Sequence, residues 1–180
     1  ALKDSFEYYT RRSFSKLPNA AVNYALMSRL LLWENKIDSM SLFFNQIADR
    51  VSDKEVWKVY LAAMATRPNV DTTQVRLNAL KAKQLWPQNA QIKLVADYVL
   101  YGIDNVKQSL ELRRIALDTF DTNPSIAIES LNKSLDIVPD DMINYENLIE
   151  MYFKTNDYES VVEVYDKLNK LNLTTLTYPI

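Results

Sequence analysis

Two adjacent carboxylates, Asp140 and Asp141, are the residues whose types and spacing come closest to a catalytic pair. Paired carboxylates can act as general acid and general base when their environments separate their pKa values. These two, however, follow Pro139 directly and precede a stretch with helical periodicity. Aspartates at that position typically accept hydrogen bonds from the first turn of a helix and favour its positive end. The pattern therefore predicts helix capping and no catalytic role.

The composition argues against most enzyme classes. The chain contains no cysteine and no histidine. Thiolate nucleophiles, disulfides, cysteine-ligated zinc and histidine-based triads are therefore impossible. One glycine, Gly102, cannot build the glycine-rich loop that holds a phosphate group. We predict a non-enzymatic protein that needs no metal and no cofactor.

The distribution of glycine and proline predicts an all-α chain. Strand-rich folds use glycine for turns with positive φ, and this chain has only one. We expect about ten helices, and linkers of two to five residues should make neighbouring helices antiparallel. Prolines punctuate the helical segments at Pro18, Pro68, Pro87, Pro124, Pro139 and Pro179. The predicted spans are 3–15, 19–33, 37–49, 53–66, 71–85, 89–101, 104–120, 124–137, 142–154 and 158–171.

Three local signals mark helix ends. Asn123 before Pro124 is typical of an N-cap followed by proline at the first helical position. Ser52 and Glu55 match a capping box, and a valine on each side completes a hydrophobic staple. Gly102 follows an apolar segment, where a left-handed residue would end one helix before the next begins.

The last predicted helix has a clear apolar stripe. Its large apolar residues recur at three- and four-residue steps, which predicts that one face is buried. These residues are Tyr158, Val161, Val162, Tyr165, Leu168 and Leu171.

A period of 34 residues relates two helices near the C-terminal end of the sequence. With that shift, Ala127 aligns with Val161, Leu131 with Tyr165 and Ser134 with Leu168. A 34-residue helix–turn–helix period is that of the tetratricopeptide repeat, and these residues resemble its pattern. In that family a small, a bulky and a small residue follow one another along the second helix, with proline five residues later. The spacing is kept by Ala127, Leu131, Ser134 and Pro139, and by Val75, Ala79, Ala82 and Pro87.

The resemblance implies a right-handed superhelix, an α-solenoid, forming a single domain over 1–180. Residues 1–17 would be an N-terminal capping helix, 20–171 the repeats, and 172–180 an extended tail. An insertion near 89–120 should make the superhelix locally irregular. The turn glycine of the family is replaced by Asn35 and Asn156, a residue type that tolerates the left-handed conformation.

The resemblance also implies a concave groove lined by the first helix of each pair. Mapped onto this chain, the groove is an aromatic and apolar wall that would bind a partner peptide or helix. The chain would then be a protein-interaction scaffold or adaptor. An alternative is that Trp57 and Tyr60 simply pack between adjacent helices. The predicted ligand-binding residues are Arg29, Trp57, Tyr60, Met64, Arg67 and Tyr98.

Two other functions stay open. The segment 55–60 resembles half-a-TPR repeats and the segment 144–152 resembles a pentatricopeptide repeat, which implies RNA processing or RNA binding. Charge argues against nucleic acid: residues 121–180 hold 4 Lys+Arg and 11 Asp+Glu, a net −7, whereas residues 1–120 hold 17 and 12, a net +5. An RNA backbone requires a basic track. The chain could instead be a structural segment of a longer solenoid in a multiprotein assembly.

The sequence predicts a soluble chain, because its longest apolar runs are far too short to span a bilayer. We expect a cytoplasmic protein, although periplasmic or other exported or organellar compartments suit a cysteine-free chain equally. The expected partner is a protein or peptide, and the sequence specifies neither its identity nor the oligomeric state.

Overall fold

A computed structural model gives the structure over residues 2–67 and 72–176, with side chains for all of these except 21, 72 and 172–176. Within those residues the chain forms ten α-helices and no strand, which confirms the all-α prediction. The helices are α1 (Leu2–Lys16), α2 (Ala21–Trp33), α3 (Ile37–Ile47), α4 (Lys54–Ala65), α5 (Thr72–Leu85), α6 (Ala90–Tyr101), α7 (Ile103–Thr119), α8 (Pro124–Ile137), α9 (Met142–Lys154) and α10 (Tyr158–Leu176).

Helix bounds agree with the predicted spans to within about two residues at every end but one. The exception is α10, which continues to Leu176, so residues 172–176 are helical where an extended tail was expected. Residues 177–180 lie outside the described residues, as do Pro68 and Pro179.

Side-chain caps begin several helices. The Asn123 side chain accepts a hydrogen bond from the backbone N–H of Ile126 at 3.3 Å, and Pro124 opens α8, as predicted. Asp141 accepts from the N–H of Ile143 at 3.1 Å, which confirms the predicted capping role for this member of the carboxylate pair.

The predicted capping box is wrong by one residue. Asp53, and not Ser52, is the N-cap of α4, and its carboxylate accepts from the N–H of Glu55 at 2.8 Å. An ionised carboxylate at the positive end of a helix is a stronger acceptor than a hydroxyl, so the aspartate takes the position.

Asn35 and Asn156 end α2 and α9 with the same local geometry. Their φ angles are 57° and 61°, so both adopt the left-handed conformation expected for a turn glycine. In each turn the asparagine N–H and the following N–H donate to two backbone carbonyls of the last helical turn, at 2.8–3.1 Å. This is the Schellman arrangement, which satisfies carbonyls that the helix end leaves without a partner.

Gly102 also has positive φ, as predicted, but it is not left-handed helical. Its φ is 88° and its ψ is 147°, a region that is open to glycine and strained for other residues. Its N–H still donates to the carbonyl oxygen of Tyr98 at 3.1 Å and so closes α6.

Contacts between helices divide the chain into two compact units, residues 1–102 and 103–180. The boundary falls inside the stretch 89–120, where the sequence predicts an interruption of the repeats. The prediction of one repeat domain over 1–180 stays a prediction.

In unit 1 the even-numbered helices form a row. Helix α4 contacts both α2 and α6, while α3 packs between α2 and α4 and α5 packs between α4 and α6. Helix α1 covers α2. One continuous apolar core runs through these helices, and its largest side chains without exposed surface are Leu30, Met40, Phe44, Trp57, Tyr60 and Leu61.

In unit 2 helices α7 and α8 form a hairpin, α8 packs on α9, and α9 packs on α10. Ala127, Leu131 and Ser134 are fully buried, which confirms them as packing positions. A buried polar network joins three helices: the Ser134 hydroxyl donates to the Ser109 carbonyl at 2.8 Å and accepts from Asn144 Nδ2 at 2.7 Å.

Candidate functional site

The structure places Trp57 inside the core. Its side chain has 0% exposure, and Nε1 donates to the carbonyl oxygen of Val51 at 2.9 Å. The rings of Phe44 and Trp86 meet the indole edge-on, with centroids 4.8 and 5.7 Å away. The indole therefore has no surface for a partner and serves as the centre of an aromatic cluster.

Tyr60 and Met64 are buried as well. The Tyr60 ring stacks on Phe44, and its hydroxyl accepts a hydrogen bond from Asn78 Nδ2 at 3.1 Å. The alternative in which Trp57 and Tyr60 pack between adjacent helices is therefore the arrangement that the structure has. The expectation that these three side chains form an exposed groove wall is corrected accordingly.

The physical reason is a register error across the turn after α4. Six residues, 66–71, connect α4 to α5, whereas three residues each connect α2 to α3 and α9 to α10. The longer connection shifts α4 relative to α5 in the repeat. Groove positions assigned to α4 by their distance from α5 therefore fall on its buried face. The outward-facing stripe of α4 contains the exposed Glu55 and Ala62 and the half-buried Lys58 instead, at three- and four-residue steps.

The other three predicted residues do reach the surface. Arg29 is exposed on α2, on the same side as the exposed Val22 and Leu32. Arg67 is half-buried at the end of α4, and its Nη2 donates to Oδ1 of Asn35 at 3.3 Å. Arg67 thus ties the end of α4 to the left-handed turn after α2. Tyr98 is half-buried on α6.

A hydrogen bond joins the outer sides of α4 and α6. Lys58 Nζ donates to Oε1 of Gln91 at 3.0 Å and also pairs with Glu55 at 2.6 Å. Tyr98 lies two turns after Gln91 on the same stripe of α6. Together with α2 these helices present what we call the α2–α4–α6 surface, formed by Val22, Arg29, Leu32, Lys58, Ala62 and Tyr98.

This surface combines apolar contact area with an exposed cation, Arg29. Val22 is 63% exposed and Leu32 is 41% exposed, so both side chains would gain free energy if a partner buried them. Arg29 can donate to a carboxylate or to backbone carbonyls, because a guanidinium carries five N–H groups in a planar fork. Such a combination suits a peptide or helix with apolar anchors.

The one catalytic-looking pair has a structural explanation. Asp141 forms an ion pair with Arg113, and both side chains are mostly buried. Burial raises the pKa of Tyr145, and the nearby charge of Asp140 raises it further. The Tyr145 hydroxyl donates to the Pro139 carbonyl at 3.0 Å. Asp140 and Asp141 therefore belong to the hydrogen-bonded turn between α8 and α9. Among the described residues, no three acidic side chains are grouped where they could hold a metal ion.

The sequence pattern did not predict that Lys58 and Ala62 lie on the outer side of α4. Two signals could have identified them. The strong helix start at Asp53 fixes the register of α4 from its own N-terminus. The three-residue spacing of Glu55 and Lys58 is typical of an ion pair on a helix surface.

No protein-family model matches the chain, and no curated protein matches it. Across residues 2–67 and 72–176, the helices are too short or too polar for any of them to cross a membrane.

Proposed function

We propose that this chain is a helical-repeat protein of the tetratricopeptide type, with a right-handed superhelical stack, and that it works as a non-enzymatic scaffold or adaptor. Support comes from unit 1, where α2, α4 and α6 follow one another in a row with a second helix between each pair. The Schellman turns at Asn35 and Asn156 add to this, because the family places glycine in such turns.

The observation that carries the functional proposal is the exposed stripe of α2. Val22, Arg29 and Leu32 lie on one side of a helix whose other sides pack against α1, α3 and α4. Apolar side chains that remain exposed beside a cation favour a partner that buries them and supplies a carboxylate. We assign the α2–α4–α6 surface as the partner site.

The mode of binding would be a peptide or helix laid against preformed helices. The helices are held by the core beneath, so little conformational entropy is lost when a partner docks. A few anchors should then supply most of the affinity.

Affinity capture from cell extract tests this proposal. The bait would be the full chain, compared with a double variant, Arg29→Glu with Leu32→Ser, that changes exposed side chains only. Leu42→Ser is the matched control, because Leu42 is also highly exposed but lies on α3. A protein captured by the wild type and by the control, and lost with the double variant, supports the site. Equal capture by all three baits argues against it.

A further inference from the structure

Helix α10 carries a second apolar stripe that stays more than half exposed, although its first residue, Tyr158, meets the ring of Phe153 edge-on with centroids 5.7 Å apart. Tyr158, Val162 and Tyr165 are spaced by four and three residues, so they share one side of the helix. They are 54%, 60% and 54% exposed. Among the described side chains of α10, 158–171, the buried ones are Val164 and Leu168, which lie on a different side. The sequence predicted one buried stripe that included all three exposed residues, and that prediction is wrong for them.

The 34-residue period explains what this stripe is. Tyr165 corresponds to Leu131 of α8, which has 0% exposure, and Val162 corresponds to Ile128, which is half-buried in the core of unit 2. Helix α8 packs on both α7 and α9, and Leu131 lies in one core cluster with Ala116 of α7 and Leu148 of α9. These two positions of the period are therefore buried or half-buried on α8 and exposed on α10, whereas Tyr158 corresponds to Pro124, which is exposed as well.

We infer that the α10 stripe, formed by Tyr158, Val162 and Tyr165, is a docking site for a basic amphipathic helix that stacks on α10 as α9 stacks on α8. The inference concerns unit 2 and does not depend on the α2–α4–α6 surface. It rests on the observed burial of α8 and the observed exposure of α10 at equivalent positions.

The charges beside the stripe define the chemistry of the partner. Glu159, Glu163 and Asp166 are exposed on the turns next to it, against the exposed Lys167 and Lys170, and residues 103–180 hold 7 Lys+Arg against 14 Asp+Glu, a net −7. A basic helix is attracted to this border, whereas a second α10 stripe would bring like charges together. A symmetric pairing of two copies through α10 is therefore disfavoured.

The remaining residues of the chain cannot supply this helix. Only four residues, 177–180, follow Leu176, whereas α9 uses 13 residues to cover α8. The proposed partner helix is therefore not formed by residues 177–180. Its apolar residues should follow the spacing of Tyr145, Leu148 and Met151, the α9 side chains in the core cluster with Leu131.

Two synthetic peptides, titrated into the full chain, test the inference. Binding is monitored through the amide resonances of α10 in NMR spectra. The first has the sequence of α9, Met142–Lys154, with one Lys and two Glu, a net −1. In the second, Glu146→Lys and Glu150→Lys change the net charge to +3 without altering the packing residues, since both glutamates are exposed on α9. We expect saturable shifts in α10 with the basic peptide below roughly 1 mM, and roughly tenfold weaker binding of the acidic peptide at low salt.

Variants of exposed residues make the test specific. Tyr165→Lys with Val162→Lys should abolish the shifts, whereas Leu117→Lys on α7, a residue with the same 54% exposure as Tyr165, should leave them unchanged. The Arg29→Glu, Leu32→Ser variant should also bind normally, which separates this site from the α2–α4–α6 surface. Absence of shifts at 1 mM, or equal binding by the α10 variant, overturns the inference. Concentration-dependent self-association that the α10 substitutions remove would overturn it in favour of a second copy.

Discussion

The phenyl ring of Phe44 lies parallel to the phenol ring of Tyr60, with centroids 3.7 Å apart and planes 7° from parallel. Phe44 belongs to α3 and Tyr60 to α4, so the stacked pair holds neighbouring helices together. The Tyr60 hydroxyl is bonded to Asn78 of α5, which adds a third helix. Tyr60, which the sequence predicts as a binding residue, therefore connects three helices in the core.

Substitutions in this cluster should therefore lower the stability of unit 1, by an amount that depends on how much of the packing they remove. We expect Trp57→Ala to cost about 3–5 kcal/mol of unfolding free energy, because it leaves a large cavity and removes the hydrogen bond to Val51. Tyr60→Phe should cost only about 1 kcal/mol, since the ring stacking is retained. Urea unfolding followed by circular dichroism measures both losses. A Trp57→Ala variant with wild-type stability would contradict the burial of this side chain.

The left-handed turn at Asn156 gives a second prediction. Replacing this asparagine with glycine should leave the free energy of unfolding unchanged or raise it slightly, because glycine adopts positive φ without strain. Alanine should lower it by about 1 kcal/mol. The same pair of substitutions at Asn35 should give the same order. Thermal unfolding compares the variants, and alanine variants as stable as the glycine variants would be the contrary result.

A third prediction concerns Asp141, which both caps α9 and pairs with Arg113. Asp141→Asn keeps a capping side chain but leaves the guanidinium without its anion, so we expect a loss of about 1–3 kcal/mol. Asp141→Ala should lose about 1 kcal/mol more, because the cap is removed too. Urea unfolding of the two variants beside the wild type separates these contributions. If Asp141→Asn matched the wild type, the ion pair would contribute nothing.

The raised pKa of Tyr145 predicts a pH dependence of stability. Because burial and the charge of Asp140 favour the neutral phenol, the folded state holds this proton to higher pH than the unfolded state. The stability from Tyr145 is therefore complete below the unfolded pKa of about 10 and is lost as pH rises through the folded value.

A comparison of the wild type with Tyr145→Phe measures this. The variant should be less stable by about 1 kcal/mol at pH 7, since it lacks the hydrogen bond to Pro139, and the difference should shrink above pH 10. Tyr9→Phe, which changes an exposed tyrosine, is the control. A stability difference that stayed constant from pH 7 to above pH 10 would contradict the assignment of the raised pKa.

Local features of this fold could be predicted from sequence, and long-range register could not. The caps at Asn123 and Asp141 and the turns at Asn35 and Asn156 depend on a few consecutive residues, so their chemistry is readable directly. Which face of α4 aligns with the repeat depends on the number of residues between α4 and α5. Because this connection is longer than the others, the residues predicted to line the groove are buried instead.

The exposed face of α10 could not be predicted for a related reason. Its apolar spacing is that of a buried stripe, but burial also requires a neighbouring helix. On α8 the neighbour is α9, and Leu131 is buried. On α10 the described chain provides none for Tyr165, so the same pattern gives an exposed side chain. Periodicity indicates which residues can be buried, and the number of packed helices decides which of them are.

The central claim is that the chain binds a protein partner through the α2–α4–α6 surface. Its most direct test is an isothermal titration of the captured partner, once purified, against the wild type, the Leu42→Ser control and the Arg29→Glu, Leu32→Ser variant. We predict equal dissociation constants for the wild type and the control. For the double variant we predict binding weaker by at least about tenfold, a loss of about 1.4 kcal/mol, with unchanged circular dichroism. An unchanged dissociation constant in the double variant would contradict the claim.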